Sequence, residues 1–275
     1  MLIGAHVSAA GGLHHAPENA AALGLECFQF FSRPPQGGRV NPIAPEAAKL
    51  FRDTCEKHNF EFCYVHAPYV INLASAEERI RNSTIEIVRG EIERASILGA
   101  RAVMFHPGSA SGVGEEKGMA LVIKGMKQIL KGYKGSARLL VEISAGAGMV
   151  VGDRFEEVRA ILDGVDDERV GVCFDTAHAF ASGYDLRDDT AVAATMKNFD
   201  KTIGLKYLEM SHCNDSKIEL GGKCDRHEHL GKGFIGKGGF QAIMKSKAFA
   251  KVNLILETDP EGVKPDIALL KRLRG

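Results

Sequence analysis

Eight short and almost uninterrupted apolar runs, each followed by a longer charged stretch, constrain the fold of this 275-residue chain more than any other feature. Such runs are typical of strands that are buried on both faces of a parallel sheet. They cover residues 2–7, 27–31, 62–65, 102–105, 138–143, 170–174, 206–210 and 252–256. A strand followed by a helix, eight times in a chain of this length, predicts a closed (β/α)8 barrel. A doubly wound open sheet is the rival fold.

The stretches between the runs are compatible with helices. We predict helices over residues 14–23, 45–58, 76–98, 115–130, 154–162, 188–203, 240–250 and 265–273. In the third of them, apolar residues from Ile80 to Leu98 follow helical spacing, and Gly99 is placed to cap its end. The glycine-rich stretches 108–114 and 231–239 indicate turns or loops. Because no linker divides the chain, residues 1–275 are expected to form a single domain.

Charge and composition exclude several classes of protein. Lys plus Arg and Asp plus Glu number 35 each, so the formal net charge is zero. This argues against binding nucleic acid by bulk charge, but it leaves room for a local positive site that contains metal ions. No apolar run approaches the ~18–20 residues that span a bilayer, and the first residues lack a secretory pattern. Six scattered cysteines without a Cys-x-x-Cys pair indicate free thiols in a reducing, cytoplasmic setting.

Histidines and carboxylates gather just after the predicted strands. In a (β/α)8 barrel the carboxyl ends of the strands converge on one face, where active sites lie. The residues concerned are His66, His106, Glu142, Asp175, His178, His212, Asp225, His227 and Glu257. Imidazole and carboxylate suit Zn²⁺, Mn²⁺ or Fe²⁺, and this many ligands, with one bridging, suit two or three ions. Carboxylates clustered without metal would repel one another, so we predict a metal site on this face.

The other histidines are predicted to be less directly involved. His14, His15 and His58 lie in helix or loop stretches and are expected to face solvent. His6 and His229 lie near strand ends or ligand motifs, so we expect them to support the ligands rather than to bind metal.

Six longer motifs carry these residues. They are GAHVSAAGG at 4–12, HAPYVINL at 66–73, HPGS at 106–109, DTAHAFASGYD at 175–185, NDSK at 214–217 and DRHEHLGKG at 225–233. In this order, and over residues 4–258, they resemble the endonuclease IV family of metal-dependent abasic-site endonucleases. The likeness covers nearly the whole chain, and motifs of this length are highly specific.

The resemblance implies a (β/α)8 barrel that holds three zinc ions, with manganese as an alternative in some of the sites. By the family pattern, one ion is held by His66, His106 and Glu142. A second is held by Glu142, which bridges, and by Asp175, His212 and Glu257. The third is held by His178, Asp225 and His227. All nine residue types of that pattern are present.

The resemblance also implies the reaction. A metal-bound hydroxide would hydrolyse the phosphodiester 5′ to an abasic site, leaving a 3′-hydroxyl and a 5′-deoxyribose phosphate. Glu142 and Glu257 would be the catalytic carboxylates. The same site would also clean blocked 3′ ends as a phosphodiesterase or phosphatase. The expected partner is double-stranded DNA, bound by a monomer that needs no protein partner.

DNA contacts are expected from two loops. Tyr69 and Val70 would fill the gap that a flipped abasic nucleotide leaves, Val70 standing where the family usually has Leu. The loop over residues 32–39 differs from the common family form, and Arg33, Gln36 and Arg39 are its candidates for insertion into DNA. A third departure is Ile143, which stands where the family usually has Asn. Loop cations that would contact phosphates are Lys217, Lys223, Arg226, Lys232 and Lys237.

Two other functions compete with this one. A metal-dependent sugar isomerase or dehydratase on a similar barrel needs one or two metals, which gives no reason for the third group of ligands. A non-enzymatic metal- or DNA-binding module would not need a bridging carboxylate. Counting the bound metal and testing for cleavage separate the three hypotheses.

Overall fold

A closed barrel of eight parallel strands forms the centre of the computed structural model, which describes residues 1–38 and 40–275. The barrel strands are β1 (Ile3–His6), β2 (Cys27–Phe30), β3 (Cys63–His66), β4 (Ala102–Phe105), β5 (Arg138–Glu142), β6 (Val170–Cys173), β7 (Leu208–His212) and β10 (Asn253–Leu256). They neighbour one another in chain order, and β10 closes the ring by pairing in parallel with β1. The predicted (β/α)8 barrel is therefore confirmed, and the open sheet is excluded.

Helices follow the strands and pack around the barrel. They are α1 (His15–Ala22), α2 (Pro45–Lys57), α3 (Glu78–Leu98), α4 (Glu115–Leu130), α5 (Phe155–Val165), α6 (Thr176–Ala181), α7 (Asp189–Thr202), α8 (Gly236–Lys245) and α9 (Val263–Arg274). Each of the eight predicted helices has a counterpart. Within the described part of the chain, no helix has both the length and the apolar character needed to cross a membrane.

Two elements begin elsewhere than predicted. The seventh strand begins at Leu208 rather than at residue 206, because Leu205–Tyr207 forms a 3-10 turn ahead of it. The helix predicted over 240–250 is α8, which begins at Gly236 inside the supposed glycine-rich loop. A Cβ at Gly239 would lie 2.3 Å from the carbonyl oxygen of Leu186. That glycine therefore allows close packing of a helix and does not mark a turn.

Short elements at the carboxyl end of the barrel were not predicted. Helix α6 follows β6, and the side chain of Asp175 caps it by accepting a 2.8 Å hydrogen bond from the His178 amide. An antiparallel ribbon is formed by β8 (Asp215–Ser216) and β9 (His227–Glu228). Both elements are too short for a periodic pattern to reveal them, and both carry candidate ligands.

Apolar side chains fill the barrel beneath its carboxyl end. The inner cluster consists of Cys27, Tyr64, Ala102, Met104, Leu140, Cys173, Met210 and Ile255, all of them buried. A larger cluster lies between the strands and the surrounding helices. The six cysteines are free thiols. Because the interior of the barrel is packed with side chains, the polar residues at the strand ends lie directly above a layer of buried apolar residues.

Gly99 ends α3 as predicted, with a φ of 79° in the left-handed region. We expect Gly99→Ala to lower the free energy of unfolding by about 1 kcal/mol, since an L-residue is strained in this conformation. The space itself is open: the nearest atom to an added Cβ is Cδ of Arg52, at 3.8 Å. Chemical denaturation of both variants measures the effect. Gly99→Asn is the matched control and should lose less, because Asn tolerates left-handed backbone; equal losses would contradict the backbone explanation.

Candidate metal centre

All nine predicted ligands lie at or just beyond the carboxyl ends of the barrel strands or in the loops that follow them. His66, Glu142 and His212 are the last residues of β3, β5 and β7. The other ligands follow the strands directly or lie on α6 and near the ribbon of β8 and β9. A cavity of about 500 Å³ opens above them, and its walls include His6, Tyr69 and Arg226.

Glu142 is the centre of this cluster and is fully buried. Its Oε1 lies 2.8 Å from Nδ1 of His212 and 3.4 Å from Nδ1 of His178. Its Oε2 lies 3.5 Å from Nε2 of His106 and 3.7 Å from Nε2 of His66. Among residues 1–38 and 40–275, this Oε2 has no hydrogen-bond partner. A buried carboxylate oxygen without a partner is costly, and a cation held between it and the two imidazoles would remove that cost.

A second group surrounds His212, which is also fully buried. Its Nδ1 lies 3.2 Å from Oε2 of Glu257 and 3.8 Å from Oδ2 of Asp175. Possible ligand atoms of Glu142, Asp175, His212 and Glu257 all lie within 4.8 Å of one another. Three carboxylates and one imidazole form a donor set that suits a divalent cation.

The third group lies nearer the cavity mouth. Nε2 of His178 is 3.1 Å from Oδ1 of Asp225 and 3.3 Å from Nε2 of His227. Nε2 of His227 also lies 3.6 Å from Oδ2 of Asp175. The ribbon of β8 and β9 therefore brings residues 225 and 227 against α6. Glu142 belongs to the first two groups, and Asp175 of the second group lies against His227 of the third, so the nine side chains form one continuous cluster.

Backbone carbonyls orient two of the imidazoles. Nδ1 of His66 lies 2.6 Å from the carbonyl oxygen of Ala67, and Nδ1 of His178 lies 3.1 Å from that of Ile143. Each Nδ1–H donates to its carbonyl, which leaves the Nε2 lone pair facing the cluster. The residue after Glu142 therefore contributes through its main chain. The apolar side chain of Ile143 is buried in the core.

The electrostatics of the cluster favour charged carboxylates. Burial alone would raise the pKa of Glu142, but the surrounding imidazoles hold it well below its usual range. Burial opposes charge on His212 as well, yet the Cys173 thiol and the neighbouring carboxylates raise its pKa well above the ordinary value. The pKa of Glu142 is lowered and that of the adjacent His212 is raised, so positive charge among these carboxylates is favourable. Divalent cations would supply this charge and displace the histidine protons.

Two buried amides that were not predicted as site residues also contact the cluster. Asn214 donates from Nδ2 to Oδ2 of Asp175 at 2.8 Å and accepts from the Glu257 amide at 2.8 Å. Gln29, in the middle of β2, contacts both His212 and Glu257. Their sequence signal is a polar amide within or beside an apolar strand. That signal is weak, because a single amide inside a strand is common.

The remaining histidines lie around this cluster or away from it. Burial lowers the pKa of His6 to about 4, so that ring is neutral where it lines the cavity. Nδ1 of His229 lies 2.7 Å from Oδ2 of the buried Asp266. His14 and His15 lie on the rim beside Glu18, with Nδ1 of His15 2.8 Å from Oε2 of Glu18.

The candidate DNA-contacting residues differ in how exposed their side chains are. Tyr69 and Val70 are exposed, at 67% and 49% of their surface, and Tyr69 borders the cavity. The side chain of Arg33 is only 8% exposed and pairs with the fully buried Glu91. Gln36 is exposed, whereas Arg39 lies outside the described residues. Of the three loop candidates, Gln36 is therefore the described one whose side chain is exposed.

Comparison with known proteins places this geometry in context. A family model described as a xylose isomerase-like TIM barrel matches residues 17–273. A protein named probable endonuclease 4 from Chlorobium phaeovibrioides is 41% identical over 98% of this chain and 99% of its own. The crystal structure of endonuclease IV from Thermus thermophilus matches with a TM-score of 0.89 and 32% identity, over 99% of this chain and 98% of that one.

A more distant structure shares the fold alone. A D-tagatose 3-epimerase-like protein matches with a TM-score of 0.77 over 99% of this chain and 97% of its own, but with 21% identity. At that level of identity, the likeness shows that the two proteins share the barrel fold, but it carries no information about a shared reaction.

Proposed function

The chain belongs to the endonuclease IV family, and on that premise we propose that it hydrolyses the phosphodiester bond 5′ to an abasic site, leaving a 3′-hydroxyl and a 5′-deoxyribose phosphate. Membership makes the protein a deoxyribonuclease, a metal-binding hydrolase with a role in DNA repair. The sugar isomerase and the non-enzymatic module are the weaker hypotheses, because the full-length relatives that are 41% and 32% identical are named endonucleases, whereas the epimerase-like structure is only 21% identical. Residues 1–275 are proposed to act as one domain and as a monomer.

The observation that carries the proposal is the environment of Glu142. Its two carboxylate oxygens face different groups of histidines, and one of them has no hydrogen-bond partner in the described chain. A carboxylate used in this way fits a bridge between two cations. We propose three zinc ions, with manganese as an alternative in some sites, and Glu142 as the bridging ligand. The three groups of ligands are His66, His106 and Glu142; Glu142, Asp175, His212 and Glu257; and His178, Asp225 and His227.

In the proposed reaction, bound zinc would supply positive charge for the phosphate oxygens and would acidify the attacking water. Glu142 holds the shared position between the two inner groups, and Glu257 lies beside it with Oε2 directed at His212. These carboxylates would orient the water for attack on phosphorus; the P–O3′ bond would break, and the departing 3′ oxygen would take up the proton that the water releases, which gives the 3′-hydroxyl. No nucleophilic side chain is needed. The same site would remove blocking groups from 3′ ends.

Selection of the abasic nucleotide would depend on the exposed pair Tyr69 and Val70. An abasic nucleotide has no base to unstack, so turning it out of the helix costs less than turning out a normal one. An aromatic ring beside the cavity would fill the gap in the base stack, and such stacking is worth about 1–3 kcal/mol.

We therefore expect Tyr69→Ala to weaken binding to a duplex with one abasic analogue by about 10-fold. Binding to the undamaged duplex should change much less, because it has no gap to fill. Fluorescence anisotropy with both duplexes measures the difference. Leu205→Ala is the matched control, since Leu205 is an exposed apolar residue ahead of β7, at the opposite end of the barrel. Equal weakening on both duplexes would contradict the role of Tyr69.

Parallel assays of the purified, zinc-replete protein test the proposed function. One assay uses a duplex with a single stable abasic analogue, a second uses the undamaged duplex, and a third follows isomerisation of common aldoses and ketoses. We expect incision of the first duplex alone, abolished by a chelator and restored by zinc. Sugar turnover without incision would favour the isomerase hypothesis and overturn the proposal.

A further inference from the structure

Gln29 is a fully buried amide in the middle of β2, a strand whose other residues are Cys27, Phe28 and Phe30. In the barrel register it lies opposite His6 on β1 and Tyr64 on β3. Placing an amide inside a barrel costs stability unless each of its polar atoms is satisfied. Here all of its side-chain hydrogen bonds are made to residues at the metal centre.

The amide makes three contacts. Its Oε1 lies 2.7 Å from Nε2 of His212. Its Nε2 lies 2.7 Å from Oε1 of Glu257 and 3.0 Å from Nδ1 of His6. One side chain on β2 therefore joins residues on β1, on β7 and at the end of β10.

Glu257 determines which way the amide points. A charged carboxylate only accepts hydrogen bonds, so the amide atom 2.7 Å from its Oε1 must be the NH₂ group. The reverse orientation would bring two oxygens together. With the NH₂ group placed there, the carbonyl Oε1 of Gln29 faces His212, and Nε2 of that histidine must carry the proton.

The proton on Nε2 decides which nitrogen of His212 is available as a ligand. A neutral imidazole that carries its proton on Nε2 has its lone pair on Nδ1. That atom is the one 2.8 Å from Glu142 and 3.2 Å from Glu257. The same amide engages Oε1 of Glu257 and leaves Oε2 directed at His212.

We propose that Gln29 is a positioning residue for the ion held by Glu142, Asp175, His212 and Glu257. Through one amide, Gln29 fixes the tautomer of His212 and the rotamer of Glu257. The proposal rests on the metal-dependent function proposed above. It adds to that function a residue outside the nine ligands whose loss loosens one ion and leaves the others in place. Outer partners of metal ligands typically contribute about 10- to 100-fold to metal affinity.

Chelator titration of the zinc-loaded protein tests this. Gln29→Met keeps the length of the side chain but removes both the acceptor and the donor. We expect one zinc ion per chain to be lost at a chelator concentration about 10- to 100-fold lower than in the wild type, with the other ions unchanged. Asn253→Leu is the control. That buried amide lies at the opposite end of β10 and bonds to the Tyr64 hydroxyl and the Leu2 amide, so its loss should lower thermal stability without changing metal retention.

A second variant separates the two contacts and does not depend on Gln29→Met folding. Gln29→Glu keeps an acceptor for His212 but places a carboxylate against Glu257. In the fully zinc-loaded proteins, nitrogen-15 NMR of the histidine side chains should show His212 protonated on Nε2 and bound through Nδ1 in the wild type and in Gln29→Glu, and bound through either nitrogen in Gln29→Met. Metal retention should fall in both variants, because both lose the donor to Glu257.

The outcomes distinguish this proposal from the proposed function. Wild-type metal retention in both Gln29 variants, or an unchanged His212 tautomer in Gln29→Met, would overturn the role of Gln29, even in an active nuclease. A wild-type protein that binds metal as described but does not incise DNA would overturn the proposed function, while the shifts in the Gln29 variants would still support the positioning role.

Discussion

Glu142→Gln is expected to lower incision of an abasic duplex by about 10³-fold and to remove the ions that share this carboxylate. The substitution preserves the shape of the side chain but removes its charge. In the wild type, Oε1 faces His212 and His178, and Oε2 lies within 3.7 Å of His66. An amide group cannot bridge two cations with both of its ends. The inner two groups of ligands then lose their shared anion, whereas the outer group around His178 and His227 keeps its own carboxylates.

Metal analysis beside the incision assay measures this prediction. Glu91→Gln is the matched control, because Glu91 is also a fully buried glutamate but pairs with Arg33 away from the metal centre. We expect that control to lose stability and to keep its metal. A Glu142→Gln protein with the metal content and rate of the wild type would show that Glu142 is not a bridging ligand.

Glu257→Gln should leave the fold intact and lower turnover by about 10²-fold. The side chain follows β10 at the cavity wall, where the imidazoles that surround it keep the carboxylate charged. Burial would raise the pKa of Glu257, but His212 and His66 lower it to about 2. The amide would keep the hydrogen bond from Gln29 and lose the negative charge beside His212, where we place the attacking water.

The rate under saturating substrate and the far-ultraviolet circular dichroism spectrum measure this pair of effects. Glu261→Gln makes the same chemical change on an exposed residue four positions along the chain and should behave as the wild type. Activity near that of the wild type, with full metal occupancy, would exclude Glu257 from the catalytic pair.

The positions of the candidate ligands were predictable because they depend on topology. In a parallel barrel, every strand end reaches the same face, so a residue such as His66 or Glu142 is placed by the end of an apolar run alone. Because all nine ligand positions carry the residue type of the family pattern, the resemblance then assigned the ligands to three groups. The seventh strand was placed two residues early, yet His212 still falls at the carboxyl end of the barrel, which shows how tolerant this inference is.

Contacts between residues that lie far apart in the chain were not predictable. Arg33 looked available for DNA in its loop, but its partner Glu91 lies on α3, and no local pattern reveals that ion pair. Gln29 was missed for a similar reason: its three partners come from three other strands or strand ends. Each strand of the ribbon that carries His227 is only two residues long, which is too short for a periodic pattern to reveal it.

Identification of the products from a single-site abasic duplex tests the central claim most directly. We expect one cut on the 5′ side of the lesion, with a 3′-hydroxyl that a DNA polymerase extends and a 5′-deoxyribose phosphate on the other fragment. An intact duplex after incubation with protein of verified metal content would contradict the claim, as would a cut on the 3′ side that leaves an unsaturated aldehyde and cannot be extended.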